Sequence, residues 1–518
     1  MWRRAYLLLV AVRLYFALSP SYLHPDEHFQ GPEVIANRIF NYPSSPTWEF
    51  TSSHPIRSAF PLWLVYGTPM YILRWLWQGF RHDEPPPWLT FYMLRGVMFT
   101  CSFVLEDWAL HELVPVTKQR RLAIILVASS YVTWTWQTHT FSNSIETLLV
   151  LWCLVLVERV KGETRGSPQK RSRFAPLATF AFLLALGIFN RITFPAFVLV
   201  PTLQLIPHLR RRPWSLLFLI VVGALTALSA IVIDTNFYQP MSFDLYTLVQ
   251  KPTITPLNNF LYNTVTENLS QHGLHPFYQH MLVNLPQFLG PAFPLLLLSP
   301  RLSTRLFSAL VGCALLSLFP HQEARFLLPA VPLLLSSIRL PKRQTRTWIG
   351  VWIIFNGVLG LFMGVFHQGG VVPAQLHVGR EWNGKIGTVI WWKTYPPPTW
   401  LLGSRQGQVS GNIETVNLMG AKTGVIIEAI AESVCEKESE LTLVVAPRSA
   451  GVPALADLSN SLTPRAGSKD TGIMQTWSYY QHVNLDDLDW AQDSVWGTLG
   501  RVVREQGIAI YAVSATCN

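Results

Sequence analysis

Charged residues are scarce in this sequence. Asp, Glu, Lys and Arg make up only 14% of the 518 residues, whereas soluble domains usually contain about 25%. Half of the residues are hydrophobic, and many of them stand in long segments with few interruptions. The composition therefore argues against a soluble protein and predicts a chain that lies largely within a lipid bilayer.

Cysteine is also rare, and its spacing predicts no metal site. The five cysteines include no Cys-x-x-Cys pair, which argues against structural zinc. Three of them lie in apolar segments, whereas Cys435 and Cys517 lie in the polar C-terminal region. If that region faces an oxidising lumen, we expect Cys435 and Cys517 to form one disulfide. The sequence contains neither a P-loop nor a Gly-x-Gly-x-x-Gly motif, so nothing indicates a nucleotide site.

Long apolar segments recur through the first two-thirds of the chain. Many approach the roughly 20 residues that a helix needs to cross the hydrocarbon core. They include residues 60–77, 88–113, 122–136, 145–157, 214–233, 291–298 with its flanks, and 348–366. The pattern predicts an all-α multi-span membrane protein with about 11 to 13 transmembrane helices.

The basic residues stand in short connectors between these apolar segments. The formal net charge is +10, but no single basic face or tail carries it, so we expect no nucleic-acid partner. Beside membrane segments, such clusters mark the cytoplasmic side. We interpret residues 5–18 as a signal anchor, which makes the loop 19–59 lumenal. The basic clusters are residues 3–4, 118–121, 161–173, 210–212 and 342–346.

The chain changes character after about residue 367, where long apolar segments end. We therefore predict a polytopic transmembrane domain over residues 1–367 and a soluble lumenal domain over residues 368–518. Within the second domain the patterns predict a helix over 423–434 and strands over 441–445 and 508–513. This mixture indicates a small α/β fold.

The first lumenal loop contains an unusual acidic motif, His-Pro-Asp-Glu-His-Phe-Gln at residues 24–30. Two adjacent carboxylates between His24 and His28, directly after a span, are costly to bury and hard to explain by packing. Near a low-dielectric boundary a carboxylate suits a general base that deprotonates a hydroxyl. One of Asp26 and Glu27 would be the base, while the other would organise the loop or hold an acceptor hydroxyl. Alternatively, Asp26 would cap a helix that begins near Glu27.

A second motif, His-Gln-Glu-Ala-Arg-Phe, occupies residues 321–326 on the predicted lumenal side. The guanidinium of Arg325 with the imidazole of His321 nearby is suited to bind a phosphate at the membrane surface. On spacing alone, an interfacial Arg325 that pairs with Glu323 and anchors a helix is an equal alternative.

Further polar residues stand at lumenal ends of apolar segments, where they are expected to line a cavity. They are His139, Asn143, Glu146 and Arg191. Arg95 and Asp107 are interpreted as a buried ion pair within the membrane. The sequon at Asn268 lies in a loop predicted to be lumenal and is a candidate N-glycosylation site, although chance sequons are common.

Together these motifs resemble those of the dolichol-phosphate-mannose-dependent mannosyltransferases of the endoplasmic reticulum. The similar segments are residues 24–30, 140–147 and 321–326, and the similarity extends over most of the chain up to about residue 405. The acidic motif is most similar to the branch of glycosyltransferase family 22 that adds the fourth mannose of the glycosylphosphatidylinositol (GPI) anchor.

The resemblance implies a GT-C fold with a lumenal active site. It also implies inverting transfer of mannose from dolichyl-phosphate-mannose to the GPI precursor glycolipid, α-1,2 to the third mannose. Asp26 matches the catalytic acidic residue of the family and Glu27 its acidic neighbour. Arg325, with His321 or Arg191, would then stabilise the leaving phosphate. Because a phosphate is already a good leaving group, no general acid is needed. The sequence shows no dedicated set of metal ligands, so we predict no cofactor and no metal requirement.

Alternative functions remain open at this point. The same chemistry could act on the third-mannose position of the GPI glycan or on the lipid-linked N-glycan precursor. A lipid transporter would often show two related halves with interrupted helices, and the sequence shows no such duplication. A non-catalytic subunit that retains the fold is a further alternative.

Overall fold

The computed structural model describes residues 2–81, 83–164, 174–240, 243–271, 273–381, 386–403, 413–436, 441–450, 472–485 and 494–514. Within these residues the chain is helical up to Glu381, and the strands all lie beyond it. The protein is thus mostly helical with one small sheet.

The helices before the sheet include short helices as well as long apolar ones. They are α1 (Trp2–Ala17), α2 (Asp26–Phe29), α3 (Pro32–Phe40), α4 (Trp48–Thr51), α5 (Ala59–Leu62), α6 (Thr68–Gln78), α7 (Pro87–Thr100), α8 (Asp107–Leu113), α9 (Thr117–Ala128), α10 (Tyr131–Trp134), α11 (Ser142–Thr164), α12 (Phe174–Asn190), α13 (Phe194–Leu203), α14 (Ile206–Arg211), α15 (Pro213–Tyr238), α16 (Leu245–Gln250), α17 (Thr255–Asn263), α18 (Thr266–Ser270), α19 (Leu285–Leu289), α20 (Ala292–Leu298), α21 (Thr304–Leu316), α22 (Ala330–Leu335), α23 (Thr345–Leu361) and α24 (Val371–Glu381). Turns of π-helix occupy Trp63–Gly67, Cys101–Glu106, Gln279–Asn284 and Phe362–Phe366, and turns of 3₁₀-helix occupy Trp136–Thr138, Ala324–Leu327 and Thr399–Leu402.

Three helices of the described chain are long and apolar enough to cross a membrane, namely Pro87–Leu113, Pro213–Tyr238 and Thr345–Phe366. They confirm the apolar helices predicted at 88–113, 214–233 and 348–366. A fourth span results if Tyr131–Thr138 and Ser142–Gly162, which meet at 111°, are one broken helix. The other predicted segments form shorter helices, so the count of about 11 to 13 spans stays a prediction.

The long helix Pro87–Leu113 carries buried charges, but they pair differently from the prediction. Arg95 and Asp107 do not form an ion pair, because twelve residues of one helix separate them by about 18 Å at 1.5 Å per residue. Asp107 Oδ1 instead lies 3.5 Å from Nη2 of Arg13 on α1. Arg95 Nη2 lies 3.3 Å from Oε1 of Glu27 in the first lumenal loop.

The C-terminal region forms a five-stranded mixed sheet in the order β2-β1-β3-β5-β4. The strands are β1 (Ile386–Trp392), β2 (Glu414–Met419), β3 (Leu441–Pro447), β4 (Gly472–Tyr479) and β5 (Ile508–Ser514), with helices α25 (Thr423–Glu436) and α26 (Val495–Arg504) between them. β1 is parallel to both of its neighbours, whereas β5 is antiparallel to β3 and β4. The predicted helix at 423–434 and strands at 441–445 and 508–513 are confirmed.

The sheet is covered on both faces, which explains why all seven residues of β1 are buried. Ile426 and Ile430 of α25 pack on one face. Val371 and Val378 of α24 pack on the other face, together with Tyr22 of the first lumenal loop. The sheet therefore rests against the segment that carries the acidic motif.

Candidate active site

A cavity of about 430 Å³ lies among the first lumenal loop, the turn between α12 and α13, helix α17 and the segment 316–326. Of the residues predicted to bind substrate, it is lined by His24, Asp26, Arg191, His321, Glu323 and Arg325. Glu27, His28, His139 and Asn143 do not line it and are buried in the protein. The structure thus brings both sequence motifs together but turns part of the acidic motif away from the cavity.

Asp26 occupies the first turn of α2 and directs its carboxylate at the second motif. Its Oδ2 accepts hydrogen bonds from Nη1 of Arg325 and from Nε2 of Gln30. Its Oδ1 lies 3.4 Å from Nδ1 of His24. The N-cap position of α2 is occupied by Pro25, and Asp26 is the first residue within the helix, so Asp26 does not cap it. Burial alone would raise the pKa of Asp26, but the charges of Arg325 and His24 outweigh it and hold the pKa well below its usual range.

Arg325 lies between two carboxylates in the 3₁₀ turn Ala324–Leu327. Its Nη1 pairs with Asp26 and its Nε with Oε2 of Glu323. The pairing with Glu323 given as the second alternative is therefore present, and Arg325 also reaches the acidic motif, whereas its binding of a phosphate stays a prediction. Burial opposes the charge of Arg325, but the two carboxylates raise its pKa above the ordinary value.

His321 is held so that its charged form is favoured. Its Nδ1 lies 3.1 Å from the carbonyl oxygen of Gly273, and its Nε2 lies 2.9 Å from Oε1 of Glu323. Both nitrogens face acceptors, and an imidazolium donates from both. Burial lowers the pKa of His321, but the hydrogen bond to Glu323 outweighs it and the net shift is upward. The cavity therefore holds, close to Arg325, a second group whose surroundings favour a positive charge.

A third cation, Arg191, enters the cavity from the end of α12. Its Nε lies 3.2 Å from Oε2 of Glu146, and its Nη1 donates to the hydroxyl of Ser142 at 3.0 Å. The guanidinium carbons of Arg191 and Arg325 lie 5.2 and 5.8 Å from the centroid of the same Phe326 ring. Two guanidiniums thus contact the same aromatic ring of the cavity lining through cation–π interactions.

Glu27 lies behind the cavity, with its side chain fully buried. Oε1 is 3.3 Å from Nη2 of Arg95 and 3.2 Å from Nε2 of His28, and Oε2 is 4.0 Å from Nε2 of His139. The Glu27 carbonyl oxygen also accepts a hydrogen bond of 2.6 Å from the hydroxyl of Thr140. These contacts tie the loop to two membrane-embedded elements. Glu27 is placed to position the neighbouring Asp26.

Comparison with known families is decisive for the class of protein. The model of the Alg9-like mannosyltransferase family matches residues 4–402. The chain belongs to the Alg9-like mannosyltransferase family. The match covers both motifs of the cavity and stops within the C-terminal region, close to the limit of about residue 405 at which the resemblance ended.

Several relatives of this Alg9-like mannosyltransferase carry one name, GPI mannosyltransferase 4. The protein from Aspergillus oryzae is 48% identical over 561 residues and is matched over 100% of both chains. That from Emericella nidulans is 46% identical, with 99% of this chain and 98% of the relative covered. That from Saccharomyces cerevisiae is 35% identical, with 93% and 95% covered.

A solved structure shares the architecture. The crystal structure of ArnT from Cupriavidus metallidurans bound to undecaprenyl phosphate is similar over 100% of this chain and 99% of that chain, with a TM-score of 0.53 and 11% identity. At this identity the similarity shows the fold alone. The Alg9-like mannosyltransferase thus has the GT-C architecture expected from its motifs.

Two remaining predictions concern modification. Asn268 lies in the short helix α18, where its Nδ2 donates to the carbonyl oxygen of Tyr262 at 3.2 Å. Its glycosylation stays a prediction. The predicted disulfide between Cys435 and Cys517 falls outside the side chains that the structure describes. Among the described side chains, Cys101, Cys153 and Cys313 are free thiols.

Sequence reasoning missed a further ion pair in the cavity of the mannosyltransferase, between Glu49 and Arg57. Oε1 of Glu49 accepts from Nε and Nη2 of Arg57 at 3.0 and 2.8 Å. Nε2 of Gln30, which donates to Asp26, also lies 3.4 Å from this Glu49 oxygen. The available signal was two opposite charges within one lumenal loop. Such charges are ordinary in loops, and only their position around the cavity distinguishes them.

Residues of the C-terminal region also contact the first loop and the neighbouring helices α2 and α3. The Tyr22 hydroxyl donates to the carbonyl oxygen of Pro396 at 2.9 Å. Oε1 of Glu33 accepts from the hydroxyl of Thr399 at 2.7 Å, and Trp400 Nε1 lies 3.4 Å from Nδ1 of His28. Burial raises the pKa of Glu33 to about 7. The loop that carries the acidic motif is thus held by contacts with two parts of the chain.

Proposed function

We propose that this protein transfers mannose from dolichyl-phosphate-mannose to the GPI precursor glycolipid, adding the fourth mannose in α-1,2 linkage to the third. The observation that carries the proposal is the carboxylate of Asp26, which faces a cavity beside Arg325. Full-length similarity to proteins named GPI mannosyltransferase 4 supports the substrate class. The reaction takes place at the lumenal face of the endoplasmic reticulum membrane, where the charge pattern puts both motifs.

Asp26 is the general base of this reaction. The acceptor hydroxyl oxygen attacks the anomeric carbon of mannose, and the new carbon–oxygen bond forms as the bond to the phosphate oxygen breaks. The hydroxyl proton passes to Asp26, while the electron pair of the broken bond leaves with dolichyl phosphate from the opposite face. This geometry inverts the anomeric centre. Because its pKa is held low, Asp26 is ionised, and its proton affinity rises once the donor phosphate competes for Arg325.

Arg325 binds the phosphate of the donor, with His321 and Arg191 close by. In the ligand-free arrangement Asp26 and Glu323 balance the charge of Arg325. A phosphate competes with Asp26 for this guanidinium, and as it binds, the carboxylate becomes available for the acceptor hydroxyl. Developing negative charge on the leaving group is then stabilised by fixed cations in a partly enclosed site.

The same cations explain why we propose a reaction without a metal ion. A phosphate ester is a good leaving group once its charge is neutralised, and Arg325 with its neighbours supplies that charge. Addition of EDTA to the purified protein should leave the initial rate of mannose transfer unchanged. A rate that falls with EDTA and recovers with Mg²⁺ or Mn²⁺ would contradict this part of the mechanism.

The membrane part retains the long lipid of the donor beside the lumenal cavity. We propose that the shorter apolar helices complete a set of about 11 to 13 spans, so that membrane lipids surround most of the chain. Exposed leucines along α15, such as Leu217, Leu225 and Leu228, are placed for contact with lipid. The scissile bond then lies at the membrane surface, where a polar acceptor can reach it.

The acceptor is the part of the proposal that most needs an experiment. Purified protein in liposomes should be given dolichyl-phosphate-mannose and, in separate reactions, a GPI glycolipid with three mannoses, one with two mannoses, and the lipid-linked N-glycan precursor. We expect mannose in the product of the first reaction, in an α-1,2 linkage. Preferential transfer to either of the other acceptors would replace the proposed acceptor, and movement of lipid without transfer would indicate a transporter.

A further inference from the structure

The cavity contains a second group of side chains that the proposed mechanism does not use. It consists of Trp48, Glu49 and Arg57 from the first lumenal loop and Asn259, Tyr262 and Asn263 from α17. We call this group the loop–α17 wall. The side-chain amide of Gln30 contacts both Asp26 and Glu49. One side chain therefore connects the wall to the proposed base.

The wall is rigidly assembled from two segments that are distant in the sequence. Nδ2 of Asn259 donates to the carbonyl oxygen of Ile56 at 3.2 Å, and Nδ2 of Asn258 donates to that of Pro55 at 3.0 Å. The rings of Trp48 and Tyr262 lie 4.7 Å apart at 31°. Preformed walls of this kind bind ligands well because little ordering is left to be done on binding.

The chemistry of the wall matches a sugar ring. A pyranose has a C–H face that packs against aromatic rings and a rim of hydroxyls that require hydrogen-bonding partners. Trp48 and Tyr262 supply the aromatic surface. Glu49 and Arg57 supply a charged acceptor and donor, and Asn263 supplies an amide that is oriented by bonds of its Nδ2 to Asn259.

We propose that the loop–α17 wall binds a sugar ring of the acceptor glycan and thereby sets acceptor specificity. The inference rests on the proposed function. The donor phosphate belongs with Arg325, His321 and Arg191, and the lipid of the donor belongs in the membrane. The wall, by contrast, is built from polar lumenal segments and is joined to Asp26, which must receive the acceptor hydroxyl.

The test separates the KM of the acceptor from the KM of the donor. Initial rates of mannose transfer to the three-mannose GPI glycolipid should be measured for wild type, Trp48→Ala and Glu49→Gln, varying one substrate at saturation of the other. Each change should raise the acceptor KM about tenfold, as expected for loss of one stacking or charge-assisted contact. The donor KM should stay within about twofold of wild type, and Trp48→Tyr should restore most of the loss.

Trp496→Ala is the matched control, because Trp496 is an exposed tryptophan on α26 of the C-terminal domain and is absent from the cavity lining. It should leave both KM values unchanged. Thermal unfolding midpoints of all variants confirm that they are folded. A second measurement follows binding of the acceptor glycolipid to Asp26→Asn with and without Trp48→Ala, which requires no turnover and should show the same tenfold weakening.

Two results would overturn the inference. Unchanged acceptor KM and binding in both wall variants would show that the wall does not contact the acceptor. A raised donor KM with unchanged acceptor KM would assign the wall to the sugar of the donor. Failure of the wild type to transfer mannose to this acceptor is a different outcome, because it would reject the proposed function itself.

Discussion

Asp26 and Arg325 are 299 residues apart in the sequence and share a hydrogen bond in the cavity. Two opposing effects act on the pKa of the Asp26 carboxylate. Burial favours the protonated acid, whereas the adjacent guanidinium favours the ionised base. The guanidinium prevails, so Asp26 is a base that depends on another residue for its charge.

Replacement of Arg325 should reveal this dependence in the pH profile. In Arg325→Met the burial of Asp26 remains but the compensating charge is lost, so the pKa of Asp26 should rise. The acidic limb of the plot of kcat/KM against pH, which lies below about pH 4 in wild type, should then move into the range above pH 4, together with a lower maximal rate. Initial rates between pH 4 and pH 9 measure the shift.

Arg380→Met is the control for this experiment, because Arg380 is exposed on α24 and far from the cavity lining. Its profile should match that of wild type. A lower rate in Arg325→Met with an unmoved acidic limb would mean that Arg325 serves only the phosphate and does not determine the pKa of the base.

Replacement of Glu27 should lower mainly the stability of the protein, whereas replacement of Asp26 should lower mainly kcat. Glu27→Gln leaves Arg95 as a buried charge with a weakened partner, and breaking such a pair typically costs about 3 to 5 kcal/mol of stability. We expect a clearly lower unfolding midpoint, while kcat of the folded fraction falls much less than in Asp26→Asn. A normal midpoint combined with complete loss of transfer would make Glu27 a catalytic residue.

At the scale of elements, the sequence predicted the long apolar helices and the strands β3 and β5 well. Hydropathy and the alternation of apolar and polar residues are properties of the local sequence, and they are sufficient to predict these helices and strands. The breaks within helices were not predictable in the same way. The 111° bend between Tyr131–Thr138 and Ser142–Gly162 contains His139 and Thr140. The Nε2 of His139 and the hydroxyl of Thr140 make contacts with the first lumenal loop. Such a bend depends on partners that are distant in the sequence.

The contact between α3 and the C-terminal domain should make stability depend on pH. The pKa of Glu33 is raised to about 7 by burial, so its contribution is complete below its unfolded pKa of about 4.3 and is lost as the pH rises through about 7. Wild type should therefore lose up to about 3 kcal/mol from this group between pH 4.5 and pH 8.

Glu33→Gln cannot titrate, so the comparison isolates this residue from the histidines that titrate in the same range. The midpoint of the variant relative to wild type should rise steadily from pH 5 to pH 8 in detergent solution. Glu381→Gln, which changes an exposed carboxylate, should show no such trend. A difference between Glu33→Gln and wild type that stays constant with pH would contradict the raised pKa.

At the scale of the whole molecule, the topology determined how much of the site could be predicted. Charge clusters put the acidic motif and the Arg325 motif on the same side of the membrane, and residue chemistry assigned them a base and a phosphate-binding group. Their contact depends on how the helices pack, which no local pattern reports. The Glu49–Arg57 pair escaped prediction for the same reason, because only the docking of α17 makes its loop part of the cavity.

The membrane helices and the C-terminal region both contact the loop that carries the acidic motif. The membrane helices hold the acidic loop through Arg95 and Thr140, and the C-terminal domain holds it through Pro396 and Thr399. A loop fixed from both sides keeps Asp26 within reach of Arg325 without the help of a ligand. This arrangement gives the C-terminal domain a role in positioning the site.

The central claim is that Asp26 removes the proton from the acceptor hydroxyl during mannose transfer. The most direct measurement is the single-turnover rate of Asp26→Asn with dolichyl-phosphate-mannose and the three-mannose GPI glycolipid, alongside the affinity of the variant for the donor. We predict a rate lowered by a factor of about 10² to 10⁴ with donor binding retained or strengthened, because Arg325 loses a competing anion. A single-turnover rate close to that of wild type would contradict the claim.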